Sequence, residues 1–220
     1  GEPDPDGRVI AASAVKLLAP ILPSKIIGIG KNYADHAAEM KSELPAEPLM
    51  FLKPSTAVIG PGEVITLPNQ SSMVHHEAEL AVVIGRFCKD VPRDRVSEVI
   101  LGFTCANDVS ARDVQESDVQ WSRAKGFDTF CPLGPWIETD LDPSDLAVTA
   151  YVGDDLRQSG NTKNMIFSAV DLVSFVSHQM TLLPGDVILT GTPAGVGPIV
   201  SGDEVEVAIE GIGSLVNTVE

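Results

Sequence analysis

The segment His75-His76-Glu77-Ala78-Glu79-Leu80-Ala81-Val82-Val83-Ile84 constrains the fold more than any other part of the chain. Alternate residues of a strand share a face. Ala78, Leu80, Val82 and Ile84 make one face wholly apolar, and on the other Ala81 and Val83 follow Glu77 and Glu79. A strand apolar on both faces is covered on both. Two glutamates then stand side by side at one end of a buried strand, where like charges repel and burial of each ion costs several kcal/mol. A divalent cation resolves both problems, and ligation by oxygen alone favours Mg2+, Mn2+ or Ca2+ over zinc. The competing reading is a solvent-exposed strand end that binds nothing.

The rest of the chain reads as many short strands and few helices. Apolar runs at residues 25–30, 49–54 and 100–107 are strands, and residues 57–62 are a turn-rich connection. Residues 32–40 suggest a short helix. Ser110 with Asp113, and Ser168 with Asp171, each carry the S-x-x-D opening of a capped helix; the second is followed by Leu172, Phe175 and Val176 at helical spacing. With 19 Gly and 16 Pro, this pattern argues for a β-rich α+β fold. Residues 1–7 read as a linker or the end of a longer segment, and residues 9–23 as an N-terminal strand or extended arm.

Charge narrows the function. Fifteen Lys and Arg against 31 Asp and Glu give a net charge of −16, so nucleic acid and anionic membrane are excluded as expected partners. A small anionic substrate would need a local positive site. Cys88, Cys105 and Cys131 are odd in number and widely spaced, which implies neither a disulfide framework nor a zinc knuckle and suggests a reducing, cytoplasmic setting. Cys131 is expected either at the cavity or as inert core. No apolar stretch approaches about 18 residues, so no membrane-spanning helix is expected. The chain opens on Gly1 rather than Met, without a basic-then-apolar leader.

Further candidates lie elsewhere. Asp108 ends an apolar strand beside an expected helix start; ordinary turn chemistry is its alternative role. His36 and Glu39 share a helical face, an arrangement in which a carboxylate orients and charges an imidazole, although the spacing also arises by chance on surface helices. Arg112 and Gln115 are also three apart and could hold a substrate carboxylate, or Arg112 could make a surface ion pair. Lys53 and Lys125 are plausible anion anchors or lysines that snorkel to solvent. The Thr190-Gly191-Thr192-Pro193-Ala194-Gly195 loop could cradle an anion on its backbone N–H groups but lacks the G-K-[ST] ending of a P-loop. Gly28-Ile29-Gly30 has Tyr33 where a dinucleotide fingerprint requires glycine, so both nucleotide readings are rejected.

Six stretches, in order, resemble the fumarylacetoacetate hydrolase family. They are Gly28-Ile29-Gly30-Lys31-Asn32-Tyr33-Ala34-Asp35-His36, Phe51-Leu52-Lys53-Pro54, His76-Glu77-Ala78-Glu79-Leu80, Asn107-Asp108-Val109-Ser110-Ala111-Arg112-Asp113, Lys125-Gly126-Phe127-Asp128 and Thr190-Gly191-Thr192-Pro193. The resemblance implies a mixed β-sandwich roll with a few short helices, in which residues 1–24 form an arm and residues 25–220 the catalytic domain, assembled as a homodimer. It implies that Glu77, Glu79 and Asp108 bind Mg2+ or Mn2+, and that His36 with Glu39 is the acid/base pair. Lys125 is implied as catalytic, and Lys53, Arg112, Gln115 and Thr192 as substrate-binding.

The expected substrate is a small anionic 2-oxo acid. The reaction expected first is hydrolysis of a C–C bond in acylpyruvates such as fumarylpyruvate, through a metal-bound enolate and within aromatic-acid degradation. Its alternatives are isomerisation of 2-hydroxy-diene-dioates and decarboxylation of oxaloacetate, which share that enolate. A non-catalytic metal- or anion-binding domain is the reading from a different class. Residues 41–48 and 121–130 are expected to set specificity.

Overall fold

The computed structural model describes residues 6–39 and 43–220. Residue 40, the end of the first expected helix, and residues 41–42, the start of the first expected specificity loop, lie outside the described residues. Among the described residues the strands form three sheets, of seven, five and three strands. The seven-stranded sheet runs in the order Leu49–Lys53, Ile26–Gly30, Val187–Leu189, Ala78–Ile84, Ile100–Asn107, Cys131–Glu138 and Val58–Ile59, and it mixes parallel with antiparallel pairs. Helices are few and short, the longest described one being Ala169–Gln179. The architecture is the expected β-rich roll. None of the described helices is long and apolar enough to cross a membrane.

The strand Ala78–Ile84 lies inside the seven-stranded sheet and is buried along its whole length. Its two faces serve two cores, as its double-sided apolar pattern requires. Leu80, Val82 and Ile84 pack with Val148, Val207 and Ile209 of the five-stranded sheet and with Leu172 and Val176 of the long helix. Ala81 and Val83 pack with Ile26, Leu133, Val187 and Leu189 on the opposite face. Glu79 belongs by parity to this second face, so the candidate site continues an apolar core.

Two local expectations are corrected and a third is narrowed to one of its alternatives. The strand expected across residues 75–84 breaks at Glu77 into Val74–His76 and Ala78–Ile84. At the break, side chains replace the ladder: Glu77 N–H donates to Asn107 Oδ1 and Ala78 N–H donates to Gln158 Oε1, each at 2.9 Å. Ser110 caps no helix. It pairs in a short strand with His75, its hydroxyl donates to the Asp108 carbonyl, and the helix Arg112–Ser117 begins without a side-chain cap. The matching pattern at Ser168 does form a full capping box. Finally, residues 9–23 supply no strand. They run as an arm with Val9, Ile10 and Leu22 exposed, and only its later part packs on the domain, where Ala19 abuts Gly60 and Ile21 joins the second core.

The glycines of Gly28-Ile29-Gly30 make room for aromatic rings. Phe51 is the cross-strand partner of Gly28, and a Cβ at Gly28 would stand 2.2 Å from its ring. A Cβ at Gly30 would stand 2.6 Å from the ring of Trp121. The two rings meet edge to face, 5.5 Å apart, and together wall the cavity described below. Gly28→Val should therefore displace Phe51 and destabilise the protein by about 1–3 kcal/mol. Equilibrium urea unfolding would measure this, and a midpoint unchanged from wild type would contradict the packing role.

Candidate metal centre and acid/base pair

Glu77, Glu79 and Asp108 converge. Each offers a carboxylate oxygen, and the three atoms lie within 4.8 Å of one another, all buried. The break at Glu77 makes this possible, because Asp108 N–H donates to the Glu77 carbonyl at 2.9 Å and brings the end of the strand Ile100–Asn107 alongside. The cations that the sequence offered as substrate anchors lie largely among these carboxylates. Arg112 pairs with Glu77 and also donates to Gln115 Oε1 at 2.8 Å. Lys125 Nζ donates to Glu77 at 2.7 Å and Asp108 at 2.6 Å, with Phe51 5.0 Å away. Lys53 pairs with Asp108 and does not line the cavity. Three carboxylates thus stand against three cations.

The electrostatics single out one carboxylate. Burial alone would push the Glu77 carboxyl up, but Arg112 and Lys125 hold it well below the usual range. Burial would likewise lower the Lys125 ammonium, and Asp108 with Glu77 outweigh it to keep that group charged. Among the described residues, no cation contacts Glu79. Burial, and then the charges of Asp108 and Glu77, push its carboxyl well above the usual 4.5, and the Gly191 N–H that donates to it at 2.6 Å does not offset this. A cluster of three buried oxygen donors, one of them short of positive charge, fits a hard divalent cation such as Mg2+ or Mn2+.

The acid/base candidates stand at the same cavity. His36, on the short helix Ala34–Glu39, is buried and lines it; its Nδ1 meets Glu39 Oε2 at 3.1 Å. Gly195 N–H donates to Glu39 at 3.1 Å. The Gly/Thr loop therefore does bind anions on its backbone, but they are the protein's own carboxylates, Glu79 at Gly191 and Glu39 at Gly195. Gly191 has a φ of +94°, a conformation that glycine supplies without strain. Thr192 also lines the cavity, with its hydroxyl donating to the Ala78 carbonyl and accepting from Gln158.

The cavity has a volume of about 230 Å3, suited to a compact acid, with Gln115, Phe51 and Trp121 also in its wall. Of the loops expected to set specificity, Trp121 contributes directly. Cys131 is core: it is fully buried, and burial pushes its thiol up to about 12.

Gln158 was not foreseen. Fully buried on the strand Asp155–Asn161, it accepts from Ala78 N–H, meets His76 Nδ1 at 3.0 Å, and donates to Thr192 Oγ1 and the Pro193 carbonyl. It ties the five-stranded sheet to the break at Glu77. Nothing in its local sequence marks it, because its partners lie 34 to 82 residues away. Asn107 was read only as the end of a strand.

The chain matches the family described as fumarylacetoacetate (FAA) hydrolase C-terminal over residues 25–220. It is 58% identical over 222 residues to Protein Rv2993c of Mycobacterium tuberculosis, covering 100% of this chain and 84% of that one. It is 44% identical over 223 residues to the mitochondrial oxaloacetate tautomerase Fahd2a of Rattus norvegicus, covering 96% and 71%. Among solved structures, it resembles 5-carboxymethyl-2-hydroxymuconate delta-isomerase from Mycobacterium smegmatis with a TM-score of 0.91 and 59% identity, covering 97% and 85% of the two chains. For 2-hydroxyhepta-2,4-diene-1,7-dioate isomerase from Mycobacterium marinum the TM-score is 0.93 and the identity 54%, covering 100% and 83%.

The raised Glu79 carboxyl sets the expected pH response. Because its carboxyl is raised in the folded protein, its contribution to stability is fullest below the usual 4.5 and is lost as pH rises through the raised value. A divalent cation competes with a proton at that carboxyl. The increase in Tm produced by Mg2+ should therefore grow with pH across this window and then level off. Glu79→Gln should remove the pH dependence and weaken Mg2+ and Mn2+ by at least about tenfold. A wild-type Tm response to Mg2+ that is flat with pH would refute competition between proton and cation at Glu79.

Proposed function

The chain belongs to the fumarylacetoacetate hydrolase family, and on that footing we propose that it isomerises a small dianionic 2-oxo acid, by keto–enol exchange or by moving a conjugated double bond. One observation carries this reading: an imidazole oriented by a carboxylate opens onto the same cavity as three buried, converging carboxylates. Bound by Glu77, Glu79 and Asp108, Mg2+ or Mn2+ would supply Lewis-acid stabilisation of the negative charge that develops on the 2-oxo oxygen.

Glu39 engages Nδ1 of His36, which leaves Nε2 as the ring nitrogen for proton transfer. With Nδ1–H donated to the carboxylate, Nε2 is a base able to take a proton from the carbon beside the 2-oxo group. Glu39 then stabilises the imidazolium, which returns the proton to oxygen or to a more distant carbon of the same conjugated system. Atoms balance without water. Phe51 and Trp121 cover the apolar side of the cavity, which keeps the proton on His36 and the substrate.

The charges favour a dianion. Glu77, Glu79 and Asp108 are matched in number by Lys53, Arg112 and Lys125. A divalent cation adds two positive charges, which a substrate carrying two negative ones would neutralise. The relatives described as isomerases and as an oxaloacetate tautomerase support proton transfer as the main reaction over the C–C hydrolysis expected first. Acylpyruvate hydrolysis remains the second reading, because a complete His36–Glu39 pair is also suited to activating water.

His36→Ala should slow enol-to-keto conversion of oxaloacetate, followed by ultraviolet absorbance in the presence of Mg2+, by about 10^2- to 10^4-fold. Mg2+ binding should be retained. A rate unchanged by the substitution would overturn the proton-transfer role. Hydrolysis of acylpyruvates by the wild type, with no tautomerase or isomerase activity, would favour the second reading.

A further inference from the structure

Among the described residues, one cation at the cavity is not engaged by a carboxylate. Arg112 and Lys125 are held in ion pairs with Glu77 and Asp108, and Lys53, outside the cavity lining, pairs with Asp108. Lys31 also lines the cavity, half-buried, and among the described residues its side chain meets neither a carboxylate nor any other hydrogen-bond partner. It follows Gly30, which carries the Trp121 ring, so it stands beside the apolar wall at the end of the strand Ile26–Gly30. Its backbone has a φ of +58°, a region that a residue with a side chain enters at a cost. The chain holds a lysine here where glycine or asparagine would be easier.

We propose that Lys31 is a specificity-determining residue that binds the second, distal carboxylate of the substrate. This rests on the reading of the cavity as a 2-oxo acid site. In that reading the carboxylate and oxo group at one end of the substrate would be held through a divalent cation at Glu77, Glu79 and Asp108. The distal carboxylate stands at the other end of the substrate and needs a cation within hydrogen-bond reach there, which Lys31 supplies from the cavity wall. Gln115 is already engaged by Arg112. Glu116 is the other charged lining residue without a partner among the described residues, but it is exposed and of the wrong sign to hold an anion. The inference names the ligand class: 2-oxo acids with a carboxylate at each end, in preference to those with an apolar tail.

Binding, measured separately from turnover, tests this. The Mg2+-loaded protein is titrated calorimetrically with oxaloacetate and 2-oxoglutarate, and with the monoanions pyruvate and 2-oxobutyrate. Wild type should bind at least one dianion about tenfold more tightly than its monoanionic counterpart, the lower range for a charge-assisted hydrogen bond at a half-open site. Lys31→Gln should erase that preference while leaving monoanion and Mg2+ affinities within about twofold. Lys31→Arg should restore most of it, and Glu116→Gln should keep it. Absence of the preference in wild type, or its survival in Lys31→Gln, overturns the assignment. If the preference behaves as expected but no 2-oxo acid is turned over, the proposed reaction fails and the role of Lys31 stands.

Discussion

Three carboxylates held together away from water would repel one another and unfold their own surroundings if nothing opposed them. The packing of this protein around residues 77, 79 and 108 is organised by that problem. Arg112, Lys53 and Lys125 are buried because the carboxylates are, and each charge is tolerable only through the others. The balance is uneven by design of position: Glu77 and Asp108 are contacted by cations, and Glu79 is supported by a single backbone N–H. The least compensated oxygen donor is thus also the one that needs an added cation most.

A site of this kind depends on rigid supports, and these come from both sheets. The seven-stranded sheet delivers Glu79 from its middle, where both faces are packed and the strand cannot slip register without turning Glu79 into the opposite core. The five-stranded sheet delivers Gln158, which occupies the gap left by the broken strand and satisfies backbone groups that would otherwise be stranded. The loop after Val187–Leu189 continues the ladder with threonine hydroxyls on the Leu80 and Ala78 carbonyls, then places its glycine N–H groups on Glu79 and Glu39. One loop therefore couples the metal centre to the acid/base pair, and a shift in it would move both.

Some local signals were legible and others misled. The S-x-x-D pattern at Ser168 precedes an eleven-residue helix with a buried face, so capping and packing agree. The same pattern at Ser110 is overridden because sheet pairing with His75 claims the serine backbone and Asp113 turns to Ser71 and Ser72. The glycines near residue 28 looked like a nucleotide fingerprint gone wrong; they are clearance for Phe51 and Trp121, which only the strand register and the fold of residues 112–125 reveal.

The order of apolar residues from 78 to 84 determined by itself that a strand there would be buried on both faces and that Glu79 would share a face with Ala81 and Val83, because strand parity is a property of the local chain. The three-residue spacing of His36 and Glu39 likewise placed them within reach of each other on one helical turn. Tertiary structure alone decided that Asp108 completes the cluster, that Arg112, Lys53 and Lys125 neutralise it, that Gln158 and Gly195 brace it and that Lys31 stays unspent. These are relations between segments tens of residues apart, and their distances follow from how the sheets curl and pack, which no short run of residues encodes.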